Sequence, residues 1–553
     1  MKLAMVKLET AGPRRLFRLS RSVSPQRRAA PPHPGAAAGD SLYSPRMPLG
    51  PRRLALVSAA FWAAVKLGLH LAFLAPYGWF RDELYYVACS RHLAFGYVDH
   101  PPLSIAILRL WRSVAGDSLV AMRVVPALAG AATVYLAGAI AVELGGGLVA
   151  VTLTSLSLLT APILLFTSHA YSMNALDVLA WTASGLLVLR ALRTNRVGDW
   201  VALGLVLGLG LENKISVLWL GAALLVALVA TPHRRVLASK GPYLAAVVAV
   251  LVFVPHLVWQ AQHGFPTLEF MRNAMEHKYV RQSPLAFLAE VALGMNVATV
   301  LVWIPGLAFG LARPGPARFP AIVFASVLAL LLAARTKSEY LAAAFPMILA
   351  VGGCFWDQVL RGVRARLVIA AVLAVLVVVP GAASVPFALP VLPVDDYVAY
   401  QAALGQRPHS SEKKDLSDLP QHYADMIGWP ELAALVDQAA ATLGTDERRG
   451  AVIWVWGDYG VAGAIEELGH TGLHVACGHN NYWWWGPGSG DGRAVIVVGG
   501  KRERVAQYFR EVVPVGSFEC ARCMPYENHK PIYVGRGLLR PLADLWPDER
   551  FYE

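Results

Sequence analysis

Three acidic residues lie close together in one short segment of this sequence. Asp82 and Glu83 occur in the run RDELYY, and Asp99 occurs in the run YVDHPP. Carboxylates in such a cluster suit general acid/base catalysis or cation binding. The apolar run at 54–76 directly precedes them and is long enough to cross a bilayer. We therefore expect the three acids to emerge at a membrane surface and to mark an active site.

The composition indicates an integral membrane protein. Of the 553 residues, 56% are hydrophobic and 16% are charged, and the mean hydropathy is +0.47. Such values exclude an ordinary soluble protein. The net charge of +12 does not indicate a nucleic-acid partner, because residues 1–53 carry eleven Lys and Arg against Glu9 and Asp40. We expect that segment, which starts at Met1 or Met47, to be a disordered basic tail on the cytoplasmic side.

Apolar runs divide residues 54–390 into about eleven expected membrane spans. They lie near 54–76, 119–141, 147–166, 173–192, 199–213, 215–231, 241–259, 288–311, 319–335, 339–356 and 367–389. With the N-terminus inside, four basic clusters fall on cytoplasmic loops, as the positive-inside rule requires: 190–196, 234–240, 313–318 and 361–366. This alternation of cytoplasmic and extracytoplasmic loops predicts a multi-pass protein of the inner membrane. It places the loops 77–117 and 260–287, the turn 335–338 and everything after Pro390 on the extracytoplasmic face.

Residues 391–553 have the composition of a separate soluble domain. Three short apolar runs predict β-strands: 451–456, 493–498 and 531–534. Two stretches have helical spacing: 430–443 and 501–512. The fold class is thus a polytopic α-helical membrane protein with a C-terminal extracytoplasmic α/β domain.

Cysteines and aromatic residues in this domain allow several interpretations. Cys477, Cys520 and Cys523 favour a disulfide over a zinc site, because the second Cys-x-x-Cys of a zinc ribbon is missing. The aromatic run 482–485 suits sugar stacking, membrane anchoring and core packing equally well.

Several motifs resemble those of GT-C glycosyltransferases. YGWFRDELYYVAC (77–89) and HLAFGYVDHPPL (92–103) resemble the first extracytoplasmic loop of the group that contains protein O-mannosyltransferases and the lipid A aminoarabinose transferase. Weaker matches are SMNALD (172–177), GLGLENK (208–214), KSEYLAAAFP (337–346), YADMIGW (423–429) and HNNYWWWG (479–486). The resemblance implies a GT-C fold. It also implies inverting transfer of a hexose or pentose from a polyprenyl-phosphate donor to an extracytoplasmic lipid, glycan or protein.

The resemblance also assigns roles to the acidic residues. Asp82 matches the catalytic acid of the first loop and is the expected general base. Glu83 is expected to orient the local helix or to contact the acceptor, because adjacent helical side chains point about 100° apart. Asp99 matches a second acidic residue of the cavity. His100 follows it where the aminoarabinose transferases tend to have lysine.

A cation is needed to hold the leaving phosphate while negative charge builds on it. Lys337 is the leading candidate, with Tyr340 one helical turn further on, and Arg81 and Lys214 are secondary candidates. We expect no obligatory metal or other cofactor, although two aspartates at a membrane surface also suit a divalent cation.

Each assignment has a structural alternative. Asp82 suits a helix N-terminus and Asp99 suits a turn cap. Lys337 suits a lysine at the membrane edge, and Lys214 suits an ion pair with Glu212. For the whole protein, the alternatives are a secondary transporter, for which the expected repeated halves are not seen, and a membrane assembly protein without catalytic activity.

Overall fold

The computed structural model describes residues 49–408, 410 and 412–553. Most of the expected basic tail, with Met1 and Met47, lies outside these residues. The first helix begins at Leu49 rather than at Leu54.

The first part of the described chain is helical. Its helices are α1 (Leu49–Leu71), α2 (Arg81–Arg91), α3 (Leu103–Ala115), α4 (Leu119–Glu143), α5 (Leu148–Leu159), α6 (Pro162–Thr167), α7 (Met173–Thr194), α8 (Val197–Asn213), α9 (Val217–Ala230), α10 (Gly241–Gln262), α11 (Pro266–Asn273), α12 (Pro284–Gly294), α13 (Val300–Ala312), α14 (Arg318–Ala334), α15 (Phe345–Val359) and α16 (Arg366–Ser384). A 3₁₀ segment, Ser338–Ala344, runs directly into α15. The expected first loop contains the two helices α2 and α3.

Six helices are long and apolar enough to cross a membrane: α1, α4, α7, α10, the unit Ser338–Val359 and the unit Arg366–Phe387. Two bent helix pairs raise this number to eight, and α5 and α14 are shorter apolar helices. Each expected apolar run is therefore helical for most of its length, but several are broken. The total of eleven spans stays a prediction.

The C-terminal part contains a five-stranded sheet with helices. The strands are β1 (Val452–Val455), β2 (His474–Cys477), β3 (Ala494–Val498), β4 (Phe509–Phe518) and β5 (Lys530–Leu538). The helices are α17 (Val394–Ala403), α18 (Gln421–Ala424), α19 (Trp429–Ala441), α20 (Thr445–Arg449), α21 (Tyr459–Leu468), α22 (Asn481–Trp485), α23 (Arg502–Val505) and α24 (Leu542–Leu545). The sheet order is β2-β1-β3-β5-β4. β1 runs parallel to β2 and β3, whereas β5 runs antiparallel to β3 and β4.

One secondary-structure prediction in this part is wrong. The stretch 501–512 is not a single helix, because α23 ends at Val505 and β4 begins at Phe509. Valines 512, 513 and 515 favour the extended conformation there. Strand β2, with only four residues, was not predicted.

The first loop and the sheet domain share one hydrophobic core. Leu84 and Tyr85 of α2 belong to the same buried cluster as Ile453 of β1. Helix α21 lies directly on α2, because a Cβ atom on Gly463 would come within 3.0 Å of the Leu84 backbone. The sheet domain therefore helps to position the residues of α2.

Candidate active site

A cavity of about 780 Å³ is lined by membrane helices, the first loop and the sheet domain. Six of the sequence-predicted site residues line it together: Arg81, Asp82, Asp99, Lys214, Lys337 and Tyr340. Glu83 and His100 are buried behind the wall. The cavity thus combines carboxylates from the first loop with lysines that lie at helix ends.

Asp82 is the second residue of α2 and lines the cavity. The N-terminus of a helix stabilises negative charge at this position. Its Oδ1 atom accepts a hydrogen bond of 2.9 Å from the hydroxyl of Tyr459, the first residue of α21. The carboxylate is only half-buried, so it is both oriented and accessible from the cavity.

Glu83 points into the core instead. Its carboxylate forms a fully buried ion pair with Arg123, at 2.8 Å. It also accepts hydrogen bonds from the backbone N–H of Tyr171 (2.8 Å) and of Phe80 (2.9 Å), and the second of these caps α2. Glu83 therefore lies where it orients the helix, and not where it contacts a substrate.

Asp99 lies next to α2 in the cavity wall. Its Oδ1 atom accepts a hydrogen bond from the Tyr85 hydroxyl (2.9 Å) and one from the Asn481 side-chain amide (3.3 Å). Asn481 also accepts a hydrogen bond of 3.0 Å from the backbone N–H of Val98. His100 stacks on the Tyr86 ring, with 4.8 Å between the ring centroids.

Lys337 is the N-cap residue of the segment that leads into α15. Its Nζ atom lies 2.9 Å from Glu412 and 4.3 Å from the centroid of the Tyr279 ring. Burial acts to raise the pKa of Glu412, but Lys278 and Lys337 outweigh it and lower that pKa to about 2. Glu412 is thus an internal anion that pairs with Lys337 at this end of the cavity.

The two secondary cations are also paired. Lys214 donates a hydrogen bond of 2.7 Å to the Asn174 side chain and lies 3.6 Å from Asp177. The expected pairing of Lys214 with Glu212 is therefore replaced by a contact with α7. Arg81 forms a buried ion pair of 3.2 Å with Asp458.

Glu412, Asp425, Tyr459 and Asn480 are among the cavity residues that had no predicted role. Asp425 lies in the YADMIGW motif, which was its only sequence signal. Burial raises the pKa of Asp425 to about 7. Tyr459 lies 377 residues after Asp82 in the sequence, so no local sequence pattern could predict their hydrogen bond.

The cysteines and tryptophans of the sheet domain lie outside the cavity wall. All five cysteines of the chain are free thiols, so the expected disulfide is not formed in the structure. Within residues 49–408, 410 and 412–553, no group of three or more His, Cys, Asp or Glu side chains is arranged to hold a metal ion. Trp485 stacks on His92, with ring centroids 4.3 Å apart, and Trp483 donates a hydrogen bond to the Trp546 carbonyl. Trp483 and Trp485 therefore serve packing.

Comparison with known proteins supports the resemblance seen in the motifs. The sequence profile of the family described as dolichyl-phosphate-mannose-protein mannosyltransferase matches residues 99–259. The match includes Asp99 and Lys214 but begins after Asp82. Among curated protein sequences, no significant match was found.

Two crystal structures of ArnT from Cupriavidus metallidurans resemble the chain over most of its length. The structure bound to undecaprenyl phosphate has a TM-score of 0.60 and 16% sequence identity, and the match covers 87% of this chain and 98% of that one. The apo structure has a TM-score of 0.58 and 16% identity, with coverage of 86% and 97%. The chain therefore has the GT-C fold that the first-loop motif indicated.

Proposed function

We propose that this protein is a membrane glycosyltransferase that moves a sugar from a polyprenyl-phosphate donor to an acceptor at the extracytoplasmic face. One observation carries the proposal: a single cavity holds an oriented carboxylate, Asp82, together with the lysines Lys214 and Lys337. The fold shared with ArnT, whose crystal structure contains undecaprenyl phosphate, supports a lipid-linked donor.

Asp82 acts as the general base in this proposal. An acceptor hydroxyl attacks the anomeric carbon of the sugar and gives its proton to the Asp82 carboxylate. The bond between the anomeric carbon and the phosphate oxygen breaks, and the polyprenyl phosphate leaves with the electron pair. A single displacement of this kind inverts the anomeric configuration. The Tyr459 hydroxyl, 2.9 Å from Asp82, holds the carboxylate in place.

The lysines bind the leaving phosphate. Lys337 lies where the unit Ser338–Val359 begins, and Lys214 lies directly after α8 ends. Both lysines therefore lie at helix ends and line the same cavity as Asp82. Their positive charge stabilises the negative charge that develops on the phosphate, without a metal ion. In this arrangement the protein spans the inner membrane several times and takes a lipid, a glycan or a protein as acceptor.

The test is transfer of radiolabelled sugar from a panel of polyprenyl-phosphate monosaccharides into membranes. Wild type is compared with Asp82→Asn and with Asp446→Asn, a control whose carboxylate is on the surface of the sheet domain with 78% of its side chain exposed. We expect transfer in wild type and in the control, and a loss of at least about 100-fold in Asp82→Asn, as for a general base. Equal transfer in all three would remove Asp82 as the base. Transfer from no donor would favour a transporter or an assembly protein.

A further inference from the structure

Asp425 is a buried carboxyl group of the cavity that the proposed mechanism does not use. It directly follows α18, lines the cavity and has only 3% of its surface exposed. Its backbone carbonyl accepts a hydrogen bond of 2.9 Å from the backbone N–H of Arg81. The sheet domain thus holds Asp425 directly against the start of α2, where Asp82 stands.

The cations near Asp425 are held by other partners. The Arg81 guanidinium forms its ion pair with Asp458, at 3.2 Å. Lys414 lies 4.4 Å from the centroid of the Tyr526 ring, and burial lowers its pKa. Both cations stabilise the ionised form of Asp425 from a distance. Among the described residues, no cation forms an ion pair with Asp425.

The acidic groups that face Asp425 oppose its ionisation, whereas the Tyr526 hydroxyl favours it. Asp82 and Glu412 are both acidic and raise the pKa of Asp425, and burial is the largest cause of the increase. The Tyr526 hydroxyl donates a hydrogen bond of 3.3 Å to Oδ1. A buried carboxyl group between two acids and without a direct cation partner takes up a proton near neutral pH.

Asp82 and Asp425 therefore have different environments within one cavity. Asp82 is half-buried at a helix N-terminus, where negative charge is stabilised. Asp425 is buried, with only 3% of its surface exposed to the cavity it lines. A buried carboxyl group that keeps its proton can act as a hydrogen-bond donor.

We propose that Asp425 is a sugar-binding residue of this site, which stays protonated and donates a hydrogen bond to an oxygen of the sugar held next to Asp82. This inference rests on the proposed glycosyltransferase function and extends it to a residue of the sheet domain. No proton is transferred in this step, since Asp425 only binds the sugar. Loss of the proton at higher pH would replace the donor by a negative charge and weaken binding.

The first test is the pH dependence of kcat/KM for transfer. Because burial raises the pKa of Asp425 to about 7, wild-type kcat/KM should fall about 30-fold between pH 6 and pH 8.5. Asp425→Asn keeps a neutral donor, so it should lose about threefold at pH 6 and show no fall up to pH 8.5. Asp425→Ala should lose about tenfold or more at pH 6. The inference is overturned if the fall persists in Asp425→Asn, or if Asn and Ala are equally impaired.

The second test reads the carboxyl group directly. Infrared difference spectra of wild type minus Asp425→Asn, in detergent, should contain a protonated carboxyl band that disappears as the pH rises through about 7. Tyr526→Phe removes a hydrogen bond to the carboxyl group and should move this transition to higher pH.

Adding the polyprenyl-phosphate sugar should shift the same band. If wild type transfers sugar but the band is missing or unshifted, the inference fails and the proposed function stands. If no donor supports transfer, the proposed function fails, and an unshifted band then overturns the role of Asp425 as well.

Discussion

Replacing Tyr459 by Phe removes a single hydroxyl group from the site. That hydroxyl donates a hydrogen bond of 2.9 Å to Asp82. The aromatic ring stays, and with it the contact to the Arg81 guanidinium, whose carbon lies 4.3 Å from the ring centroid. The substitution therefore separates the orientation of the base from the packing of the sheet domain on α2.

The expected effect follows from the strength of one hydrogen bond to a charged group. Such bonds contribute about 1.5–3 kcal/mol, and Asp82 is half-buried, so we take the lower end. If that energy positions Asp82 in the transition state, kcat should fall about tenfold. The KM for the donor should stay unchanged, because the lysines at the other end of the cavity bind the phosphate.

Tyr482→Phe is the matched control. The Tyr482 hydroxyl donates a hydrogen bond of 3.0 Å to Glu466 in the same domain, and Tyr482 does not line the cavity. Both variants should lose about 1 kcal/mol of unfolding free energy, measured by thermal unfolding in detergent. Only Tyr459→Phe should lose kcat. Equal kcat in the two variants, or a loss that matches the loss of folded protein, would refute the reasoning.

Substitutions at three further positions test the cation Lys337, the internal anion Glu412 and the buried ion pair of Glu83. Lys337→Ala should weaken binding of undecaprenyl phosphate by about tenfold or more, as measured by lipid binding in detergent, and Lys337→Arg should restore part of this binding. If Lys337→Ala binds the lipid as tightly as wild type does, Lys337 is excluded as the phosphate ligand. Glu412→Gln should lower the unfolding free energy at pH 7 by up to about 3 kcal/mol. Since the pKa of Glu412 is lowered to about 2, this difference should disappear as the pH falls from about 4.5 to about 2, and a constant difference would contradict the assignment. Glu83→Ala leaves the Arg123 guanidinium buried without its partner. Thermal unfolding should therefore show that the free energy of unfolding falls by about 3–5 kcal/mol. An unchanged unfolding temperature would show that the pair is not needed for folding.

Local geometry was enough to expect different roles for Asp82 and Glu83, because adjacent residues on a helix point about 100° apart. The structure places Asp82 in the cavity wall and buries Glu83 against Arg123. Lys214 shows where this reasoning stops. Glu212 is close in sequence, but α8 ends at Asn213 and Lys214 turns toward α7, where it contacts Asn174 and Asp177.

The membrane spans show a similar limit. The run 288–311 is mostly apolar, with Glu290 and Asn296 as exceptions, and predicts one helix. The structure instead breaks it into a pair bent by 101°. Asn296, at the break, donates hydrogen bonds to Thr160 (3.1 Å) and to the carbonyl of Val377 (2.8 Å). Hydropathy measures whether a segment is apolar, but a bend depends on partners that lie far away in the sequence.

The same principle explains why the sheet domain could not be recognised as part of the site. The first loop supplies Asp82 and Asp99, but their donors Tyr459 and Asn481 come from the sheet domain, 377 and 382 residues further along the chain. Tyr459 begins α21, and the glycines of this helix allow it to lie close to α2, because any larger side chain at Gly463 would meet the backbone of α2. When the sheet domain docks on α2, it therefore also orients the carboxylates of Asp82 and Asp99. A substitution that separates the two surfaces should abolish activity while the membrane helices stay folded.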